Sequence, residues 1–369
     1  MIVILKSRIS EQSLDYQYTL QALQDLPNID VQIRTTEGEQ ESVTEVYLLG
    51  DTNGISKENI EALPGVERVI RISSEYKILG RHNNKNHFEF TYNDITFSQA
   101  NLHIFAGLCA VDTQESVALT FKALKERNLM CARMGAYKPR TSPYSFQGLG
   151  QDCLPYVFEL AGKYGIKVIA MEVTHEKQIE EINQALENAG NATGVMLQIG
   201  TRNAQNFELL RAVGMQQRFP VLFKRGYGIT LSESLHAAEY LAHAGNQNIV
   251  FCLRGVKSLF ASPHRNLVDF AQVPVIKRLT SMPVCIDPSH SVGISGKAPD
   301  GISDIYHATA QGVISGANMV LVDFHPNPPR AIVDSKQAIP MRDLDWFLED
   351  IAIARRAYEA RQALAAKQA

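Results

Sequence analysis

The chain of 369 residues holds only five cysteines, at 109, 131, 153, 252 and 285. Their number is odd, they are scattered, and none forms a CxxC pair. Reduced thiols in a cytoplasmic protein are therefore expected, not a disulfide framework. No apolar run reaches the length needed to span a bilayer, and the opening MIVILK is too short and wrongly flanked for a secretory signal. Charge of one sign is also lacking. A formal net charge of −3 gives no global field for nucleic acid or an anionic membrane, and neither is expected as a partner. Attraction for anions must come from local clusters.

What is present is a globular composition, 45% hydrophobic and 20% charged, on a chain long enough for one barrel and a small appendage. Residues 1–80 read as strand, helix, strand, strand, helix, strand, with Ser56 capping the second helix. This is the βαββαβ pattern of a ferredoxin-like α+β module. Residues 81–100 read as a polar linker with a short hairpin. From 101 to 369, eight apolar strand segments alternate with helical ones: LHIFAG, LMCARMG, IKVIAMEV, GVMLQIG, PVLFKRG, NIVFCLRG, PVCIDPSH and MVLVDFH. That count predicts an α/β fold, a (β/α)8 TIM barrel. The competing open, doubly wound sheet lacks a GxGxxG after its first strand.

In such a barrel the site forms at the C-terminal ends of the strands. Cys109, Arg133, Lys138, Arg140, Glu172, Arg202, Lys224, Arg225, Arg254, Asp287, His290, Asp323 and His325 all fall there. A buried cation without a partner is costly, so this density predicts an anion site. Arg133, Lys138, Arg140, Arg202, Lys224 and Arg254 suit more than one phosphate or carboxylate, arginine offering a bidentate grip. Cys109, His290, Asp323 and Asp334 make a donor set natural for a divalent transition metal. Each also has a plain structural reading as core residue or cap, and the spacing alone does not decide between them.

Long motifs then narrow the field. KPRTSPYSFQGLG, QIGTRNAQNF, LFKRG, the RN before VDFAQVP, and DPSHS resemble those of the type I beta 3-deoxy-D-arabino-heptulosonate 7-phosphate (DAHP) synthases, over nearly the whole chain. The resemblance implies condensation of phosphoenolpyruvate with erythrose 4-phosphate, the first step of the shikimate pathway toward aromatic amino acids, with a divalent metal (Mn, Fe, Co or Zn). It implies Arg133 and Lys138 at the carboxylate region of phosphoenolpyruvate, and Arg202, Lys224 and Arg254 at its phosphate. Pro139, Arg140, Thr141 and Ser142 would form the aldose-phosphate loop, with Asp287 among the binding residues. Cys109, His290, Asp323 and Asp334 would ligate the metal, Lys138 would move protons, and Glu172 would position water. A homo-oligomer, tetramer or dimer, is also implied, with residues 1–80 serving either an aromatic amino acid effector or only stability and assembly.

Several residues depart from the family pattern. GPCSVE reads GLCAVD here, placing Leu108, Ala110 and Asp112 where proline, serine and glutamate are usual. Asp323 replaces a glutamate ligand, withdrawing the carboxylate by about 1.5 Å, large against a ligand tolerance of roughly 0.2 Å. Met134 stands in place of a glycine, beside the expected anion site, and the stretch between His290 and Asp323 is longer than the pattern by about seven residues. These departures leave two alternatives open: a paralogue using another aldose, and a ligand-binding regulatory paralogue with weakened catalysis. The octulosonate 8-phosphate enzymes carry an asparagine before the loop arginine, so KPRTS favours erythrose 4-phosphate.

Overall fold

The computed structural model describes residues 1–7, 9–37, 42–52, 54–71, 76–81, 88–294 and 296–368. Part of the expected linker, residues 82–87, and Ser295 of the long loop after His290 lie outside the described residues. The chain divides into two compact units, Met1–Asn83 and Asn84–Ala369.

The first unit is a four-stranded antiparallel sheet with two helices. Its elements are β1 (Ile2–Leu5), α1 (Leu14–Gln24), β2 (Ile29–Glu37), β3 (Ser42–Gly50), α2 (Lys57–Glu61) and β4 (Val66–Ile70), with sheet order β2-β3-β1-β4. Ser13 and Ser56 cap the helices by accepting from the amides of Tyr16 and Asn59. Such caps satisfy donors that the first helical turn leaves open. Val3, Leu5, Val46, Leu48 and Val69 face Tyr16, Leu23 and Ile60 to make this unit's own core. This is the ferredoxin-like arrangement.

The second unit opens with a hairpin, β5 (Glu89–Tyr92) and β6 (Ile95–Ser98). Asn93 and Asp94 turn it with φ of 53° and 65°, the left-handed pair that a two-residue hairpin loop requires. Eight parallel strands follow: β7 (His103–Leu108), β8 (Cys131–Met134), β9 (Val168–Val173), β10 (Gly194–Ile199), β11 (Val221–Lys224), β12 (Ile249–Leu253), β13 (Val284–Ile286) and β14 (Met319–His325). Each pairs with the next, and β14 pairs with β7, so the barrel closes. Around it run α3 (Gln114–Lys125), α4 (Leu154–Tyr164), α5 (Lys177–Ala189), α6 (Phe207–Met215), α7 (Leu231–His243), α8 (Val273–Leu279), α9 (Pro288–Val292), α10 (Asp304–Ile314) and α11 (Leu344–Ala366). A short β15 (Ile339–Pro340) returns along β14. Among the described residues, no helix is long and apolar enough to cross a membrane.

The hairpin is the floor of the barrel. Phe88, Phe90, Ile95 and Phe97 pack against the inward side chains at the N-terminal ends of the strands, including Phe105, Cys131, Val168, Leu222 and Met319. Phe90 and Phe97 stack with centroids 5.1 Å apart. Burying each such ring contributes about 1.5–3 kcal/mol. Tyr92 and Lys167 fasten the hairpin from outside, Tyr92 Oη accepting from the Val195 amide at 3.1 Å and Lys167 pairing with Asp94 at 2.8 Å. With the lower end filled, polar side chains are left to the C-terminal mouth.

Candidate active site and metal centre

A cavity of about 260 Å³ opens at the C-terminal ends of the barrel strands. Lys138, Pro139, Arg140, Thr141 and Ser142 line one side, and Glu172, Arg202, Lys224 and Arg254 another. His290 and Asp334 complete the wall, and Cys109, Arg133, Asp287 and Asp323 are joined to it from beneath by contacts described below. The candidate substrate and metal residues read from the sequence are therefore at, or in contact with, one cavity, while Arg225 and His325 are not among its lining.

The loop carrying Lys138 to Ser142 is held by its own backbone. The Lys138 amide donates to Gln147 O at 2.8 Å, and Gly150 N donates to Ala136 O at 2.9 Å. Tyr137 anchors its base by donating to Glu181 on α5 at 2.5 Å. Gly135 admits the close approach of β7: a Cβ there would stand 2.2 Å from Cys109 O, inside contact distance. Pro139 and Pro143 each fix one backbone φ in this bent segment, so less backbone entropy is lost on gripping an anion.

The cations differ in what they already hold. Lys224 Nζ lies 2.6 Å from Asp287 Oδ2. Arg133 is committed to Asp323 in a buried ion pair beneath the cavity. Arg202 reaches Thr141 Oγ1 at 3.4 Å. Arg254, only 5% exposed, sits over the Tyr227 ring at 5.8 Å and makes no hydrogen bond or ion pair among the described residues, Asp287 acting on it only from a distance. Burial lowers its pKa, yet an arginine remains charged. A buried charge without an acceptor is costly unless an anion joins it. Lys138 is buried too, which works against its charge, but Cys109 and Glu172 nearby outweigh this and raise its pKa.

Below these cations lies the metal-type cluster. Donor atoms of Cys109, His290 and Asp323 all lie within 4.8 Å of one another. Asp334 Oδ2 is 3.2 Å from Cys109 Sγ and 4.0 Å from His290 Nε2. Asp287 caps α9 and accepts from both the His290 amide and Nδ1 at 3.0 Å, which leaves Nε2 turned toward the cluster. Lys138 Nζ stands 3.2 Å from Cys109 Sγ, joining this cluster to the cavity. Burial pushes the Cys109 thiol up to about 12, helped by Asp323 and opposed by Lys138 and Arg133. Burial also favours the neutral Asp334 carboxyl, but His290 and Lys138 override it and hold it at about 2. Sulfur, imidazole and carboxylate donors converging this way fit a divalent transition metal.

Other residues at the strand ends belong elsewhere. Arg225 faces away from the cavity, paired with Asp269 at 3.0 Å and bonded to Gln272 at 2.7 Å. His325 is taken up by Asp112 at 2.7 Å, a buried pair that is not part of the cavity lining. Met134 lies on the opposite face of β8 from Arg133 and Cys131, by strand alternation, so its bulk does not enter the anion site. The described residues of the long loop after His290 do not line the cavity; Gly293 and Ile294 line a neighbouring depression. Two residues at the site escaped the sequence reading. Arg265 is on the cavity wall, and Gln337 lies behind it, donating to Asp323 Oδ2 at 2.6 Å. The RN motif marked Arg265 without a role, while nothing in the sequence marked Gln337.

The geometry agrees with comparisons to known proteins. Residues 86–354 match the DAHP synthetase I family, and residues 1–74 match the DAHP synthase ferredoxin-like domain. A phospho-2-dehydro-3-deoxyheptonate aldolase of Thermotoga maritima is 33% identical over 350 residues, 95% of each chain. The crystal structure of the Thermotoga maritima enzyme superposes with a TM-score of 0.67 at 31% identity, covering 97% of both chains. More distantly, a 2-dehydro-3-deoxyphosphooctonate aldolase of Nitrosococcus oceani is 26% identical over 68% of this chain and 89% of its own. The chain belongs to the DAHP synthetase I family of enzymes, with a DAHP synthase ferredoxin-like domain at its N-terminal end.

Proposed function

We propose that the protein is a 3-deoxy-7-phosphoheptulonate synthase, joining phosphoenolpyruvate to D-erythrose 4-phosphate with release of phosphate at the head of the shikimate pathway. The observation that carries this reading is Arg254, a buried guanidinium with no hydrogen bond or ion pair among the described residues, facing the same cavity as Lys224 and Arg202. These three would hold the phosphate of phosphoenolpyruvate. Lys138 would take its carboxylate, since Arg133 is already engaged with Asp323. Arg140, Thr141 and Ser142, stiffened by Pro139, would take the aldose phosphate nearer the rim.

Cys109, His290, Asp323 and Asp334 would hold a divalent metal of the Mn, Fe, Co or Zn class, which supplies Lewis acidity for an aldehyde. The protein's own residues set the remaining chemistry. The cations orient phosphoenolpyruvate so that its C3 forms a carbon–carbon bond with the aldehyde carbon, converting a bimolecular encounter into a positioned one. Lys138, kept cationic, donates a proton to the oxygen that gains charge. Glu172, held by Gln198 at 2.9 Å, orients the water that adds at C2, after which the C2–O bond to phosphate breaks. Asp287 keeps the proton on His290 Nδ1, and so holds Nε2 as a lone-pair donor.

Phosphate release by the purified protein with both substrates, in Mn²⁺, Fe²⁺, Co²⁺ and Zn²⁺, tests the reading. No release with any of these metals overturns it in favour of a regulatory, ligand-binding paralogue. Release only with a five-carbon aldose phosphate selects the octulosonate-type reaction instead. We assign residues 1–80 to regulation by an aromatic amino acid within a cytoplasmic homo-oligomer, tetramer or dimer. Inhibition by tyrosine or phenylalanine that persists after removal of residues 1–83 rules out the regulatory role.

A further inference from the structure

Gln337 is 5% exposed, in a polar cluster where burying a carboxamide is costly unless its hydrogen bonds are made. They are made, and in one sense only. Its Oε1 accepts from Arg265 Nη1 at 3.2 Å, and arginine has no acceptor to offer. The amide nitrogen is thereby turned to the other side, where it lies 2.6 Å from Asp323 Oδ2 and 3.5 Å from His290 Nε2. Arg265 also pairs with Asp334 Oδ1 at 3.5 Å. One connected path, Asp323–Gln337–Arg265–Asp334, thus links the two carboxylates of the cluster. The backbone keeps Gln337 in place: its amide donates to Asp334 O at 3.0 Å, and Ile339 pairs with Phe324 of β14 two residues on.

We propose that Gln337 is a positioning residue of the metal centre: it fixes the direction of the Asp323 carboxylate and, through Arg265, keeps Asp334 in register with it. This rests on the metal-binding reading given above. A carboxylate offers about four lone-pair sites, so the ion pair with Arg133 and the hydrogen bond from Gln337 leave capacity on Asp323 for a cation. The role suits an aspartate whose short arm allows it little freedom to search for a ligand position. Gln337 itself contributes no donor to the metal.

The test is metal binding by the full chain, measured apart from turnover. Wild type, Gln337→Leu and Cys109→Ala are titrated with Co²⁺, read by the thiolate-to-cobalt absorption band and the ligand-field bands, and with Mn²⁺ in competition with a chelator. The expected result is a loss of about 10–100-fold in affinity for both ions in Gln337→Leu, the usual cost of removing a group that orients a ligand. Its thiolate band returns at saturation, with ligand-field bands displaced from those of wild type. Should the leucine variant fold poorly, Gln337→Asn, one methylene shorter, is expected to weaken binding in the same direction. Wild-type affinity and an unchanged ligand-field spectrum in a folded variant reduce Gln337 to a space-filling role and overturn the proposal. If wild type develops no thiolate band, the metal reading itself fails and this inference falls with it.

Discussion

Replacing Asp287 with asparagine keeps the volume of the side chain but removes its charge and turns one acceptor oxygen into a donor. The residue is fully buried and accepts from Lys224 Nζ at 2.6 Å, from His290 Nδ1 at 3.0 Å and from the His290 amide at 3.0 Å. Burial would raise its pKa, but His290 and Lys224 hold the carboxyl well below the ordinary range. Breaking a buried pair from one side costs about 3–5 kcal/mol, because the other charge stays buried. Asparagine retains one acceptor oxygen, so the lower figure of about 3 kcal/mol applies. At about 2 °C per kcal/mol, the coefficient suited to a large domain, the metal-free barrel unit melts about 6 °C lower. Scanning calorimetry in chelator at neutral pH reads this directly. A depressed carboxyl stabilises above its unfolded value near pH 4, and that contribution is lost as pH falls through the folded value. Wild type and Asp287→Asn therefore converge in strong acid. A shift below about 2 °C at pH 7, or a difference that persists unchanged at the acid end, refutes the reasoning.

Three other outcomes follow from the same geometry. Lys138→Met lowers kcat by about 10²–10⁴-fold, the range for loss of a general acid, while Mn²⁺ binding by chelator competition stays in place. If Arg140 grips the aldose phosphate as proposed, Arg140→Lys loses the bidentate geometry, and steady-state kinetics show KM for erythrose 4-phosphate rising about tenfold at constant KM for phosphoenolpyruvate. Phe97→Ala empties part of the barrel floor, where the ring is 1% exposed. It costs about 3–5 kcal/mol in urea unfolding without altering KM for either substrate.

Much of this architecture was legible in the sequence because parallel barrel strands are buried on both faces and read as apolar runs. MVLVDFH and IKVIAMEV announced β14 and β9, and a charged residue at the end of each run announced the mouth. The same signal misled at Arg225, one step past Lys224 and paired with Asp269, and at His325, which a neighbouring carboxylate, Asp112, has already taken; composition reveals neither partner. Met134 misled likewise: one step along β8 from Arg133 places it on the far side. Gln337 left no trace because its position depends on β15 returning along β14, a long-range contact that no local pattern encodes. The hairpin expected within residues 81–100 is present, but its place as the barrel floor was not foreseen, for a related reason. The polar flanks of residues 81–100 outweighed Phe88, Phe90 and Phe97, whose shared burial emerges only when eight strand ends meet beneath them.

That aromatic floor makes the barrel a vessel with one opening. If the proposed reaction holds, its substrates, water and products would all pass the C-terminal mouth that Arg140, Thr141 and Ser142 help to line, since the other end is filled.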